Sequence, residues 1–156
     1  MFELGDLTDG RESSRPYAVV CWVLAAVFAA RVLGQALQSI LPQPFLPPAA
    51  SFQGSELPYP ALLASQFIIL WLMLRATIRL HHGVLAPSHR AGLLLAGFGG
   101  VYMAVALGRI FVGLAVLTAP AWFSAWIPAA FHVVLAAFVL TLAAYHIVQG
   151  NSGRAS

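Results

Sequence analysis

Residues 91–118 read AGLLLAGFGGVYMAVALGRIFVGLAVLT, a run with one charged residue, Arg109, and no proline. It exceeds the roughly 20 apolar residues that a helix needs to cross about 30 Å of hydrocarbon. A backbone in lipid must satisfy its own N–H and C=O groups, so such a run is helical. Three further runs share its character: Tyr17 to Ile40, interrupted by Arg31, Gln35 and Gln38, then Ala61 to Leu80, then Ser124 to Val148. The predicted fold is all-α, an integral membrane bundle of four transmembrane helices over approximately 17–40, 60–81, 90–118 and 124–148. Residues 1–156 read as a single membrane domain with polar tails at 1–15 and 150–156.

The punctuation between the runs agrees. Residues 41–60 carry Pro42, Pro44, Pro47, Pro48, Pro58, Pro60 and Gly54, which forbid a continuous helix and make a proline-rich loop. Residues 81–90, HHGVLAPSHR, form a short turn, and Pro120 breaks the chain at 118–125. Pro128 falls in the first turns of the last run, where proline is best tolerated.

Composition points the same way. Sixty per cent of the residues are apolar and 8% are charged, against about 25% charged in an ordinary soluble domain. So few charges do not cover a soluble surface. The eight basic residues are all arginine, and all but Arg31 and Arg109 sit towards the ends of the hydrophobic runs rather than forming a nucleic-acid footprint. Arg11 and Arg15 precede the first run, Arg75 and Arg79 close the second, Arg90 opens the third and Arg154 follows the fourth. The segments 41–60 and 118–125 contain no Lys or Arg. The positive-inside rule then predicts an N-in/C-in topology with 81–90 cytoplasmic, in a bacterial inner membrane. Tyr59, Trp122 and Trp126 would form the outer aromatic belt.

Several function classes are excluded or disfavoured. Cys21 is the only cysteine, so no intrachain disulfide or thiolate cluster forms, and it reads as a small buried hydrophobe. The first 15 residues are net acidic, which is not a signal-peptide pattern. No nucleophile elbow, P-loop or dinucleotide fingerprint is present. The runs hold no Asp or Glu, which disfavours proton pumping by carboxylates. Whether the chain is an enzyme is not legible.

Arg31 and Arg109 carry the functional signal. An intramembrane charge costs about 2.5–3.5 kcal/mol on insertion scales, so it needs a reason. Each lies nine residues inside the outer end of its run, roughly 13 Å deep at a 1.5 Å rise. Gln35 lies one turn from Arg31, with Gln38 beyond it, while Gln66 and His132 stand at a similar level on other runs. Tyr102 is deeper on the Arg109 face, and Glu56 and Tyr59 stand at the outer mouth. Two arginines facing at most one nearby acid invite an anion. The leading reading is a membrane protein or subunit that binds an anionic or amphiphilic ligand, such as a lipid or quinone, at Arg31, Gln35, Gln66, Tyr102, Arg109 and His132. The competing structural reading is that Glu56, glutamines and carbonyls satisfy the arginines.

A second reading starts from histidine. His132 and His146 share one face of the last run, with Ala136, Val139 and Ala143 between them. This 14-residue spacing resembles the way b-type cytochromes hang two haems on one helix. The resemblance covers that helix only and implies a haem b electron-transfer subunit. Its second ligand would be His81 or His82, since Gln66 stands where an outer counterpart would lie; His132 alone is the other haem or metal candidate. The bland reading of His81, His82, His89 and His146 is interfacial histidines, and Arg75 and Arg79 read as head-group anchors.

A third reading is an accessory subunit of a larger membrane complex. Gly92, Ala96, Gly100, Ala104 and Gly108 recur every four residues as a smooth ridge on which another helix can pack, in this chain or in a partner.

Overall fold

A computed structural model describes residues 3–42, 44, 58–115 and 126–152, with side chains apart from those of 3–12, 59, 126 and 152. Among them the chain is all helical: α1 Glu3–Ile40, α2 Tyr59–His81, α3 His89–Ala115 and α4 Trp126–Ser152. Each contains a segment long and apolar enough to cross a membrane. The chain is a small multi-pass membrane protein built as a four-helix bundle.

Residues 3–15 of the expected polar tail are helical, since α1 begins at Glu3 and runs through Pro16. Four acidic residues fall in the first ten positions of α1, where negative charge complements the helix dipole. Proline costs the helix one backbone bond at its own N–H. The helical apolar segment that follows continues regardless.

Buried residues of α1 run Ser14, Ala18, Cys21, Ala25, Phe28, Val32 and Gln35, alternating by four and three, with Gln38 three further on. This 3.5-residue seam is the signature of left-handed knobs-into-holes packing. On α2 the buried set is Gln66, Met73, Thr77 and Leu80, on the same period. Thr77 turns its hydroxyl back to the Met73 carbonyl at 2.8 Å, which satisfies it among apolar neighbours.

Three helix pairs make substantial interfaces: α1 with α2, α1 with α4, and, most extensively, α3 with α4. The order in space is therefore α2–α1–α4–α3, with α2 and α3 at the two ends. The α1–α4 pair is antiparallel and in steady register. Tyr17 meets Tyr145 edge-on near one end, and Arg31 meets Phe131 fourteen residues further along both helices.

The α3–α4 interface rests on close backbone approach. A Cβ at Gly92 would lie 2.7 Å from Ile147 Cγ1 and 2.9 Å from its backbone nitrogen, and one at Gly99 would lie 3.0 Å from Leu140. Gly92, Gly99 and Ala106 form the buried line, with Arg109 beyond it. The four-residue ridge departs from this interface: Gly100 and Gly108 have nothing within 4 Å of a Cβ position. At 100° per residue a step of four turns about 40° around the helix, whereas a step of seven returns within about 20°. The ridge leaves the α4 face after Ala96, while the seven-residue line stays on it.

The connection between α2 and α3 closes the arginine-rich end. Gly83 takes φ 68° after the last turn of α2. Its N–H donates to the Leu80 carbonyl, and the Val84 N–H donates to that of Arg79. These two bonds make a Schellman cap, which favours glycine at the left-handed position.

Candidate functional site

One level of the bundle, away from the 82–88 connection, collects polar groups from all four helices. Gln66 of α2 donates from Nε2 to Gln35 Oε1 of α1 at 3.1 Å, in a buried setting. One turn along α1, the Arg31 guanidinium lies over the Phe131 ring of α4, 5.1 Å from its centroid. Next to Phe131, His132 Nδ1 is hydrogen-bonded to the Tyr102 hydroxyl of α3 at 2.5 Å. Arg109, 5% exposed, projects from the same α3 face.

His132 is thus the hub. Its helix brings Phe131 towards α1 and His132 towards α3 because the residues are neighbours, about 100° apart. The two α4 faces follow separate rows. Phe131, Leu135, Phe138, Leu142 and Tyr145 pack in the cluster shared with α1. His132, Val139 and Ile147 meet α3. The rows are separated by roughly 110° at 100° per residue. Among the described residues α1 and α3 make no substantial interface with each other, and each packs on α4.

The structure joins Gln35 to Gln66 and Tyr102 to His132, sets Arg31 over Phe131 beside that histidine, and buries Arg109 two turns beyond Tyr102 on α3. Gln38 is also buried, nearer the end of α1. Glu56, and the side chains of Tyr59 and Trp126, lie outside the described residues, as does Trp122. The spans Ser13–Ile40, Pro60–His81, His89–Ala115 and Ile127–Asn151 contain no carboxylate. Arg75 and Arg79 are exposed, and the Arg75 guanidinium lies 5.3 Å from the Trp71 ring centroid, consistent with anchoring at a membrane surface.

A second polar node sits at the opposite end of α4, and the sequence reading passed over most of it. The Tyr145 hydroxyl donates to the Leu85 carbonyl at 2.6 Å, and the Ser88 N–H donates to His146 Nδ1 at 3.1 Å. A cleft of about 360 Å³ lies beside it, lined by Ser13, residues 83–87, Tyr145 and Gln149. The legible signal was Tyr145 next to His146, two polar side chains facing a connection too short to bypass α4.

This node bears on the haem assignment. A neutral imidazole that accepts at Nδ1 carries its proton on Nε2, leaving no lone pair there for iron. His146 is in that state as placed. His81 and His82 are exposed and stack edge-on with each other, with centroids 5.5 Å apart. Among the described residues no group of three or more His, Cys, Asp or Glu gathers at metal-binding distance.

Compared with known proteins, the chain matches no family model, no curated protein and no solved structure.

Proposed function

We propose that this membrane protein binds an anionic or amphiphilic ligand, a lipid or quinone among them, at the groups around His132. The supporting observation is that Tyr102 of α3 bonds His132 of α4 while the Arg31 guanidinium of α1 lies over the adjacent Phe131, inside carboxylate-free spans. Side chains this costly to insert are retained where they line a site or pair with one another. With the topology inferred from arginine placement, the cluster lies in the outer half of a bacterial inner membrane.

The test is the content of the purified protein. Native mass spectrometry in mild detergent should find a copurifying small molecule with the wild type. Arg31→Gln and Arg109→Gln should each deplete it. Equal content in all three proteins would sink the proposal.

An accessory-subunit role is the second reading, favoured by the outward-facing Gly100 and Gly108. The same spectra discriminate it, because it requires a bound protein chain in place of a small molecule. An absorbance spectrum tests the haem alternative, which requires a Soret band.

A further inference from the structure

We infer that the outward side of α2 is a binding site for an anionic phospholipid, its phosphate held between Arg75 and Arg79 and its acyl chains lying along Trp71. The site is at the end of the bundle that carries the 82–88 connection, and it stands independently of the groups around His132.

The face follows from helix geometry. At 100° per residue, Ile68, Trp71, Arg79 and His82 all lie within about 40° of Arg75 around α2. All five are exposed. Gln66, Met73 and Thr77 are buried and lie about 160–180° away. Among the described residues α2 makes a substantial interface with α1 alone. Arg75 is therefore at the centre of the side turned away from the bundle, with a second arginine one turn along.

Charge comes next. Among the described residues neither guanidinium is in an ion pair. Arg75 lies over the Trp71 ring, 5.3 Å from its centroid. The indole attracts the cation but has no hydrogen-bond acceptor, so the N–H donors of Arg75 still require one.

The acids of the chain are too distant to supply it. Gln35, near the end of α1, meets Gln66, near the start of α2. Counted along the two antiparallel helices from that contact, Trp22 is level with Arg79. Glu12 is ten residues further along α1, roughly 15 Å away. Glu3, Asp6 and Asp9 are beyond it. Glu56 precedes the other end of α2, and Arg75 is sixteen residues past Tyr59, roughly 24 Å along the axis.

A phospholipid fits this face from head to tail. Arginine suits phosphate oxygens through its planar fork of donors. A zwitterionic head group brings an amine as a third cation beside two, whereas a glycerol head group does not. Arg79 and Arg75 are two and six residues from the end of α2 at His81, about 3 and 9 Å inside it, within side-chain reach of the head-group layer. Beyond Arg75, towards the middle of the membrane, the exposed surface is Trp71, Leu72, Ile68 and Phe67. The exposed residues from Phe67 to Arg79 include no Gly, Ala or Ser, so the face lacks the small side chains on which a partner helix packs closely.

The experiment uses full-length protein in phosphatidylcholine nanodiscs titrated with acyl-brominated phosphatidylglycerol or acyl-brominated phosphatidylcholine. The Trp71 signal is the fluorescence that Trp71→Phe removes. Half-maximal quenching should need about tenfold less of the brominated phosphatidylglycerol, and Arg75→Gln and Arg79→Gln should each cut that ratio by about fivefold, the scale of one arginine beside an anionic lipid surface. Both arginines are exposed, so neither change touches the packed face of α2. Arg90→Gln removes the same charge from an exposed position at the same end of the bundle and should leave the ratio unchanged.

Equal quenching by the two lipids would overturn the site. So would an equal effect of Arg90→Gln, because the attraction would then be diffuse. Quenching of Trp71 by neither lipid would show that a second copy or another chain covers the face, and would overturn it as well.

Discussion

The Tyr102 hydroxyl reaches His132 Nδ1 across the α3–α4 interface at 2.5 Å, and it ties the deeper side of the polar cluster to its hub. Tyr102 also stacks on Phe98 of its own helix, with ring centroids 5.9 Å apart. Its ring is therefore held from both sides. Tyr102→Phe removes the bond and keeps the stacking. The expected loss is about 0.6–1.7 kcal/mol of stability, the range for single interhelical hydrogen bonds in membranes. A double-mutant cycle with His132→Phe should be non-additive by a similar amount, read from unfolding in detergent.

The glutamine pair gives a sharper sign test. Gln35 and Gln66 are 2% and 5% exposed and joined by one amide bond. Gln66→Leu strands part of a buried amide and should cost about 1–3 kcal/mol. Replacing both by leucine should cost less than either single change, because no buried amide at that contact then loses its partner. Equal or greater cost in the double variant would count against the pairing.

Glycines on α3 should divide by face. Gly92→Ala drives a methyl into Ile147 and its backbone. It is expected to lose about 1–3 kcal/mol, as overpacked sites do. Gly100→Ala and Gly108→Ala place the methyl in open space. They should be neutral or gain up to about 1 kcal/mol from the better helix former. Thermal melting of the three variants separates the seven-residue line from the four-residue ridge.

Cys21 offers a check on the α1 seam. It has no exposed surface, so a polar reagent does not reach its sulfur in the folded protein. A water-soluble maleimide should label the native protein in mild detergent far more slowly than the denatured protein. Comparable rates, measured by mass shift, would contradict the seam.

At the other end of α4, His146→Phe should free the 82–88 connection. The Ser88 amide would lose its acceptor, and its hydrogen exchange at constant pH should accelerate. Tyr145→Phe should add to this by releasing the Leu85 carbonyl. Unchanged exchange at Ser88 would show that the node does not hold the loop.

The existence and type of the helices was legible because lipid leaves a backbone no other way to satisfy itself, and the prolines at 42–60 and at 120 set the breaks. The candidate cluster was legible as a set of polar residues at matching depth, because an arginine such as Arg31 or Arg109 is conspicuous in an apolar run. Helix faces were not. In water, the polar side of a helix identifies its apolar side; in lipid, both sides of α1 are apolar, and Ala18, Cys21 and Ala25 look no more buried than Val19, Val20 and Val23. The four-residue ridge drew attention by composition alone, and the rotation it accumulates carries it away from α4. Tertiary packing selected Gly92 and Gly99 as contact points, placed α4 between α1 and α3, and set Arg31 over Phe131 and Tyr102 on His132. The residues by themselves determined that this chain folds as four membrane-length helices carrying polar groups at one depth, because solvation depends on composition along one dimension. Only the tertiary structure decided which groups meet, because contact depends on rotation and register between helices whose surfaces are equally apolar.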